Sequence, residues 1–144
     1  MNELICGIKN KNNKEAYEYV KEIIAQSADC NKYLNNIPDF LALLDDGNSY
    51  VRTRAFCLIS AQAKWADNGE LENAFSKMKK LLNDEKPTVV RQCLAALHEV
   101  LYYRPEMKEP VKEALKDIDL SIYDCSLFLP WTYKCDCTYF VYGT

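Results

Sequence analysis

The sequence predicts an all-α fold, a row of helical hairpins stacked side by side. Three observations predict it. Apolar residues recur at three- and four-residue steps across residues 14–118, the spacing that lines one face of a helix. Turn residues separate these stretches at Asp46-Gly47-Asn48 and Asp67-Asn68-Gly69, and Pro38, Pro87 and Pro105 fall where helices begin. The pattern also repeats: Leu43-Leu44-Asp45-Asp46 falls on Leu81-Leu82-Asn83-Asp84 at an offset of 38 residues.

Each element follows from its residues. Residues 14–27, KEAYEYVKEIIAQS, place Ala16, Val20, Ile23, Ile24 and Ser27 on one helical face. Asn12 and Asn13 can cap its start, because a short polar side chain accepts from the free first-turn amides. A second helical segment covers 31–45, and Pro38 breaks or restarts it, since Pro is tolerated only in a first turn. Ser49 can cap the next helix, YVRTRAFCLISAQAKW, which runs to Trp65. Residues 70–83 form an amphipathic helix with Leu71, Ala74, Phe75, Met78, Leu81 and Leu82 on one side. Pro87 opens a helix over 88–103, and Pro105 opens another to 118, in which Pro110 demands a kink or a late start. Ser121 with Asp124 three residues on resembles a capping box.

The offset needs no gap through the following helix. Ser49 falls on Pro87, Val51 on Val89, Ala55 on Cys93, Phe56 on Leu94 and Ile59 on Leu97. Phe56, Ile59, Leu94 and Leu97 are therefore expected in the core. A two-helix unit of this length cannot bury its apolar face alone, so neighbouring units stack and share one core. The stretches LLDDGNSYVRTRAFCLI (43–59) and LLNDEKPTVVRQCLAAL (81–97) carry an Asp-rich turn and then Val and Arg at a helix start. In this the chain resembles the HEAT-like (armadillo/HEAT) helical repeat family, over residues 14–126. One departure is Val90, which stands where the first copy has Arg52, the Arg moving to 91. SYVRTRAFCLISAQAKW, DEKPTVVRQCLAAL and DLSIYDCS also look similar to a group of small bacterial HEAT-like proteins. Some of these go by the name SufBD-like, which implies iron–sulfur cluster assembly on a strand-rich scaffold. Nothing in this sequence reads as strand-rich, and that implication is set aside.

The resemblance implies a right-handed α-α superhelix of about three hairpins over residues 1–126. It also implies that Asp46 in the turn and Arg52 in the next helix bond across repeats and order the stack. A HEAT-like motif specifies a fold and leaves the function open.

Composition narrows the function classes. Four Gly stand singly, at 7, 47, 69 and 143, so no Gly-rich phosphate loop exists. His98 is the one histidine, which leaves a Ser/His/Asp triad a single candidate base. Carboxylates on helices neighbour lysines, as in Glu18/Lys21 and Glu109/Lys112, and read as solvated pairs. No enzyme and no cofactor are expected. Seven cysteines, an odd number, read as free thiols of a reducing compartment. Cys135-Asp136-Cys137 lacks a second ligand pair, so no metal site is expected. No apolar run reaches the ~18 residues a spanning helix needs, and residues 1–14 carry no basic-then-apolar export pattern. The expected location is cytoplasmic, away from any membrane.

The net charge of −3 disfavours a nucleic-acid partner, because phosphate contacts drive most non-specific affinity. Residues 46–83 hold six basic against four acidic residues, only a mild excess. The alternative reading, a HEAT-like nucleic-acid-binding or DNA-repair protein, needs a continuous basic stripe. The favoured reading is a non-enzymatic scaffold gripping a protein or peptide in a concave groove. The second helix of each hairpin lines that groove. With Val51, Ala55, Leu58 and Ile59 turned inward, Thr53, Arg54, Cys57, Ser60 and Lys64 face outward in the first copy. One period on stand Arg91, Gln92, Ala95, His98 and Tyr102, with Glu99 beside them. Cys57, Ser60 and Ala95 give a shallow floor, Arg54, Lys64 and Arg91 a positive rim, and Tyr102 an amphipathic anchor. That pattern predicts an acidic peptide ligand. Trp65, ahead of a turn, is expected to plug the corner between paired helices.

Residues 127–144 break the pattern. FLPWTYKCDCTYFVYGT (128–144) holds six of the chain's 17 aromatics and two charges, with Pro130 among β-branched residues. It reads as an aromatic cap over the last open face, or as an altered C-terminus.

Overall fold

A computed structural model of the chain describes residues 3–116. Seven α-helices fill that stretch, and no strand occurs among the described residues. They are α1 (Glu3–Ile8), α2 (Asn13–Ser27), α3 (Ile37–Leu43), α4 (Ser49–Ala61), α5 (Asn68–Met78), α6 (Pro87–Tyr103) and α7 (Lys108–Lys116). Short 3₁₀ turns at Leu34–Asn36, Lys79–Asn83 and Pro105–Met107 join some of them.

Helix starts are set by local chemistry. The Asn12 side chain accepts from the amides of Lys14 and Glu15 at 3.1 and 3.2 Å, occupying donors that no helical carbonyl can reach. Asp67 caps α5 through the Glu70 amide at 2.7 Å. Asn48, and not Ser49, caps α4, accepting from Tyr50 N at 2.9 Å; Ser49 is already the first helical residue. Pro38 is the second residue of α3 and Pro87 the first of α6, positions whose amides are unpaired anyway. Pro110 lies in the first turn of α7, which starts late at Lys108 as the proline requires.

Two helices end earlier than the apolar pattern suggests. α4 stops at Ala61, and turns carry the chain to Trp65, whose amide bonds Gln62 O at 2.9 Å. α5 stops at Met78 and tightens into a 3₁₀ turn. α1 was not expected: six residues are too few to show a period, although Leu4, Ile5 and Ile8 all pack against the core. The capping-box pair Ser121 and Asp124, Cys125, Cys135, Cys137 and the 127–144 segment lie outside the described residues.

The helices stack in two layers. α2, α4 and α6 form one, with α4 packed between α2 and α6; α1, α3, α5 and α7 back it. This is an all-α, solenoid-like arrangement of three hairpins, α1/α2, α3/α4 and α5/α6, with α7 following. One continuous core runs through it, and Phe40, Phe56, Ile59, Leu71, Met78 and Leu82 are sealed from solvent. The four matched core positions are all buried: Phe56, Ile59, Leu94 and Leu97. The 38-residue register is therefore also the packing register.

Candidate binding groove

Polar contacts tie the hairpins together at both ends of the layer. At the turn end, Arg52 of α4 spans two units. Its Nη1 donates to the carbonyls of Asp46 at 2.9 Å and Gly47 at 3.2 Å. Its Nε and Nη2 donate to the two carboxylate oxygens of Asp84, one unit on, at 3.1 and 3.2 Å. The Asp46 carboxylate takes Lys9 at 3.2 Å and the Asn48 amide at 2.8 Å. These contacts, the amide first, hold its carboxyl below the usual carboxylate value. Lys80 pairs with Asp45 across the same units. Arg52 does bond across repeats, but through the Asp46 main chain and the next unit's carboxylate.

At the other end, later units donate to carbonyls at the end of α2 and in the turn after α4. The Trp65 indole N–H bonds Ser27 O at 2.7 Å, the Lys64 ammonium bonds Ala28 O at 2.7 Å, and Arg104 bonds Ala66 O at 2.5 Å. Helix C-termini carry unpaired carbonyls, so cationic and N–H donors are favoured there. Trp65 thus closes a corner, as its place in the sequence suggests.

Between these ties lies a shallow groove across the layer, lined by Ile24 of α2, Cys57 and Ser60 of α4, and Arg91, Gln92, Ala95, Ala96 and Glu99 of α6. It continues past Ala95 and Glu99 into a depression of about 740 Å³ walled by His98, Leu101, Tyr102, Tyr103, Pro105 and Lys108. Tyr102 is 78% exposed and stands edge-on to Tyr103, with ring centroids 4.9 Å apart.

The structure brings together Cys57, Ser60, Arg91 and Gln92 in the groove, and His98 and Tyr102 in its extension. It places Arg54 and Lys64 elsewhere. Arg54 is 8% exposed and points back along the stack, donating to Ile8 O at 2.8 Å and Asn13 Oδ1 at 2.9 Å. It holds the α1–α2 turn against α4, and its burial lowers the guanidinium pKa. Thr53 is buried as well, its hydroxyl donating to Ser49 O at 3.0 Å. Lys64 is held at the corner by Ala28 O and by the rings of Trp65 and Tyr103, 5.1 and 5.7 Å from its Nζ. Of the three expected rim cations, Arg91 remains in the groove, so the charge argument for an acidic ligand loses two of its three supports. Ser60, expected on the groove floor, is only 1% exposed, and its hydroxyl bonds Phe56 O at 2.9 Å, so it lies beneath the floor rather than on it.

Sequence reasoning missed Ile24, Ala96, Leu101, Tyr103, Pro105 and Lys108. Extending the ladder one unit back to α2 would have found Ile24. Burial pushes the Cys57 thiol up to about 12 and raises that of Cys93, so both stay protonated. Among the described residues no three His, Cys, Asp or Glu side chains cluster closely enough to hold a metal ion. No helix of the described residues is long and apolar enough to cross a membrane.

Comparison with known families gives a match over residues 28–126 to Cnd1, non-SMC mitotic condensation complex subunit 1. That span takes in two complete hairpins, α3/α4 and α5/α6, and supports the helical-repeat resemblance. No curated protein and no solved structure matches the chain. With a stacked-hairpin fold and a match across more than half its length, the chain belongs to the Cnd1 family of condensation complex subunits.

Proposed function

We propose that this chain is a non-enzymatic scaffold that binds a segment of a protein partner along the α4–α6 groove, within an assembly of the condensation-complex kind. The observation that carries this reading is the groove itself. A floor of small side chains, Cys57, Ala95 and Ala96, runs between two tied hairpins and opens beside a largely exposed tyrosine. Small floors admit a backbone or a helix closely, and an exposed Tyr supplies contact area at low entropic cost. The family gives independent support, since its members are described as subunits of a complex. With Arg54 and Lys64 engaged in the fold, the fitting ligand is a mostly uncharged segment that sets small apolar side chains on Ile24, Ala95 and Ala96.

The test is co-precipitation with the full chain as bait, beside Ala95→Arg, which fills the floor. Proteins of a chromosome-condensation assembly should be retained by the unaltered chain and lost by the variant, with circular dichroism unchanged. Equal recovery by both would remove the groove from the account.

A further inference from the structure

We propose that Tyr50 is a phosphorylation site, and that a phosphoryl group on its hydroxyl supplies the counter-ion that the buried guanidinium of Arg54 lacks among the described residues. The inference begins with two arginines of α4, two residues apart, that meet opposite surroundings. Arg52 holds both oxygens of the Asp84 carboxylate. Arg54, more deeply buried, bonds only neutral oxygens, Ile8 O at 2.8 Å and Asn13 Oδ1 at 2.9 Å. Among the described residues the ion pairs are Lys9–Asp46, Arg52–Asp84, Lys80–Asp45 and Lys116–Glu113, and Arg54 is in none of them. Buried charges are ordinarily paired, because the interior cannot solvate them. Burial lowers the Arg54 pKa, and the Tyr50 phenol is the group that opposes the fall.

Tyr50 stands one helical turn before Arg54, so the two side chains share a face of α4. Its ring centroid lies 5.9 Å from the guanidinium carbon, while 58% of the residue is exposed. One side chain therefore touches both solvent and a buried cation. Tyr50 is the second residue of α4, and the exposed Gly47 and Asn48 lead into it. Helix ends fray, so a modifying enzyme can take this stretch. A phosphoryl group brings about −1.5 to −2 charge near neutral pH and three strong acceptor oxygens, and it orders structure where an arginine faces it. The bonds to Ile8 and Asn13 leave guanidinium N–H donors for those oxygens.

The surrounding charges permit the group. Asp46, the carboxylate one turn upstream, is engaged by Lys9 and by the Asn48 amide. Tyr17, 59% exposed on α2, gives the contrast: the cation over its ring is Lys21, at 5.8 Å and itself exposed. An exposed ammonium is already hydrated and gains little from a new anion. In the transfer, the γ-phosphorus of a nucleoside triphosphate bonds to the Tyr50 phenolic oxygen. Its bond to the departing diphosphate breaks, and the phenolic proton passes to the base of a tyrosine kinase. The product ties the first turn of α4 to the α1–α2 turn through Arg54. Tyr50 is not among the groove-lining residues, and the proposal does not depend on a partner being bound there.

Phosphotyrosine placed by codon suppression at position 50 of the full chain, and at position 17 as a control, tests the pairing. Phosphorus NMR reads the second phosphate pKa, ordinarily about 6. The expected value at 50 lies about one unit below that at 17, because a nearby opposite charge favours the doubly ionised form. The urea midpoint of the chain phosphorylated at 50 should exceed that of Tyr50→Phe. Arg54→Gln in the phosphorylated chain should return the pKa at 50 to the value at 17. Incubation of the unmodified full chain with a panel of tyrosine kinases and ATP should place phosphate on Tyr50, read by peptide mapping. Equal pKa values at 50 and 17, a lowered urea midpoint, or no incorporation at 50 would each overturn the proposal.

Discussion

Arg52 and Asp84, 32 residues apart, meet through two parallel hydrogen bonds of 3.1 and 3.2 Å, with side chains only 12% and 8% exposed. The same guanidinium takes two carbonyls of its own turn, so one residue orders two consecutive hairpins. Removing one partner leaves a largely buried charge without its counter-ion. Asp84→Ala should cost about 3–5 kcal/mol by denaturant melting. Arg52→Ala with Asp84→Ala together should cost clearly less than the sum of the two single changes. Additive losses would mean that the pair does not couple the hairpins.

Leu97 tests the repeat register. It is 3% exposed in the shared core and pairs by offset with Ile59. Leu97→Ala should destabilise by about 2–5 kcal/mol, the range for a buried leucine. A loss below about half a kcal/mol, the size of an ordinary surface change, would count against the packing described.

Arg54 separates structure from binding. Its two hydrogen bonds to the α1–α2 turn predict that Arg54→Leu loses roughly 1–3 kcal/mol of stability. Partner affinity, measured on the folded fraction, should stay the same. A variant of wild-type stability but weakened binding would return Arg54 to the groove rim.

The contrast between Arg52 and Arg54 shows how far the sequence was legible. Helix positions and core faces follow from three- and four-residue spacing and from capping residues; Asn12 and Pro87 sit at helix starts as expected, whereas Asp67, expected in a turn, caps α5. The offset also exposed the stacking register. Spacing fixes the angle at which a side chain leaves its helix, but not where a long side chain ends. Arg54 leaves on the outward side and then reaches back to Ile8 and Asn13, over 40 residues earlier. Lys64 does the same toward Ala28. α1 escaped notice because its one and a half turns contain no repeat of the apolar pattern, and the core contacts of Leu4, Ile5 and Ile8 depend on partners distant in sequence.

Asp46 gives the acid limb of stability. Its carboxyl pKa is lowered in the fold, chiefly by the Asn48 amide, so the native state favours its ionised form. This contribution is complete above the unfolded value of 3.8 and is lost as pH falls through the lower folded value. Asp46→Asn should flatten the fall of urea stability on that limb. An unchanged pH profile would show that the carboxylate's contacts do not favour its charge.

Cysteine reactivity should sort by burial. Cys6 and Cys30 are exposed, whereas the thiols of Cys57, pushed up to about 12, and Cys93 stay protonated near neutrality. Iodoacetamide labelling mapped by peptide should mark Cys6 and Cys30 first, Cys57 on the groove floor more slowly because its thiol stays protonated, and Cys93 only on unfolding. Early labelling of Cys93 would show that the α4–α6 core opens readily.

The groove is the centre of the functional account, and calorimetric titration tests it most directly. A purified partner, identified by co-precipitation, is titrated into the unaltered chain and into Ala95→Arg at equal fold stability. The account predicts that the Kd rises by about tenfold or more, roughly 1.4 kcal/mol of lost binding energy. An unchanged Kd with Ala95→Arg would contradict it and place the partner on another face of the stack.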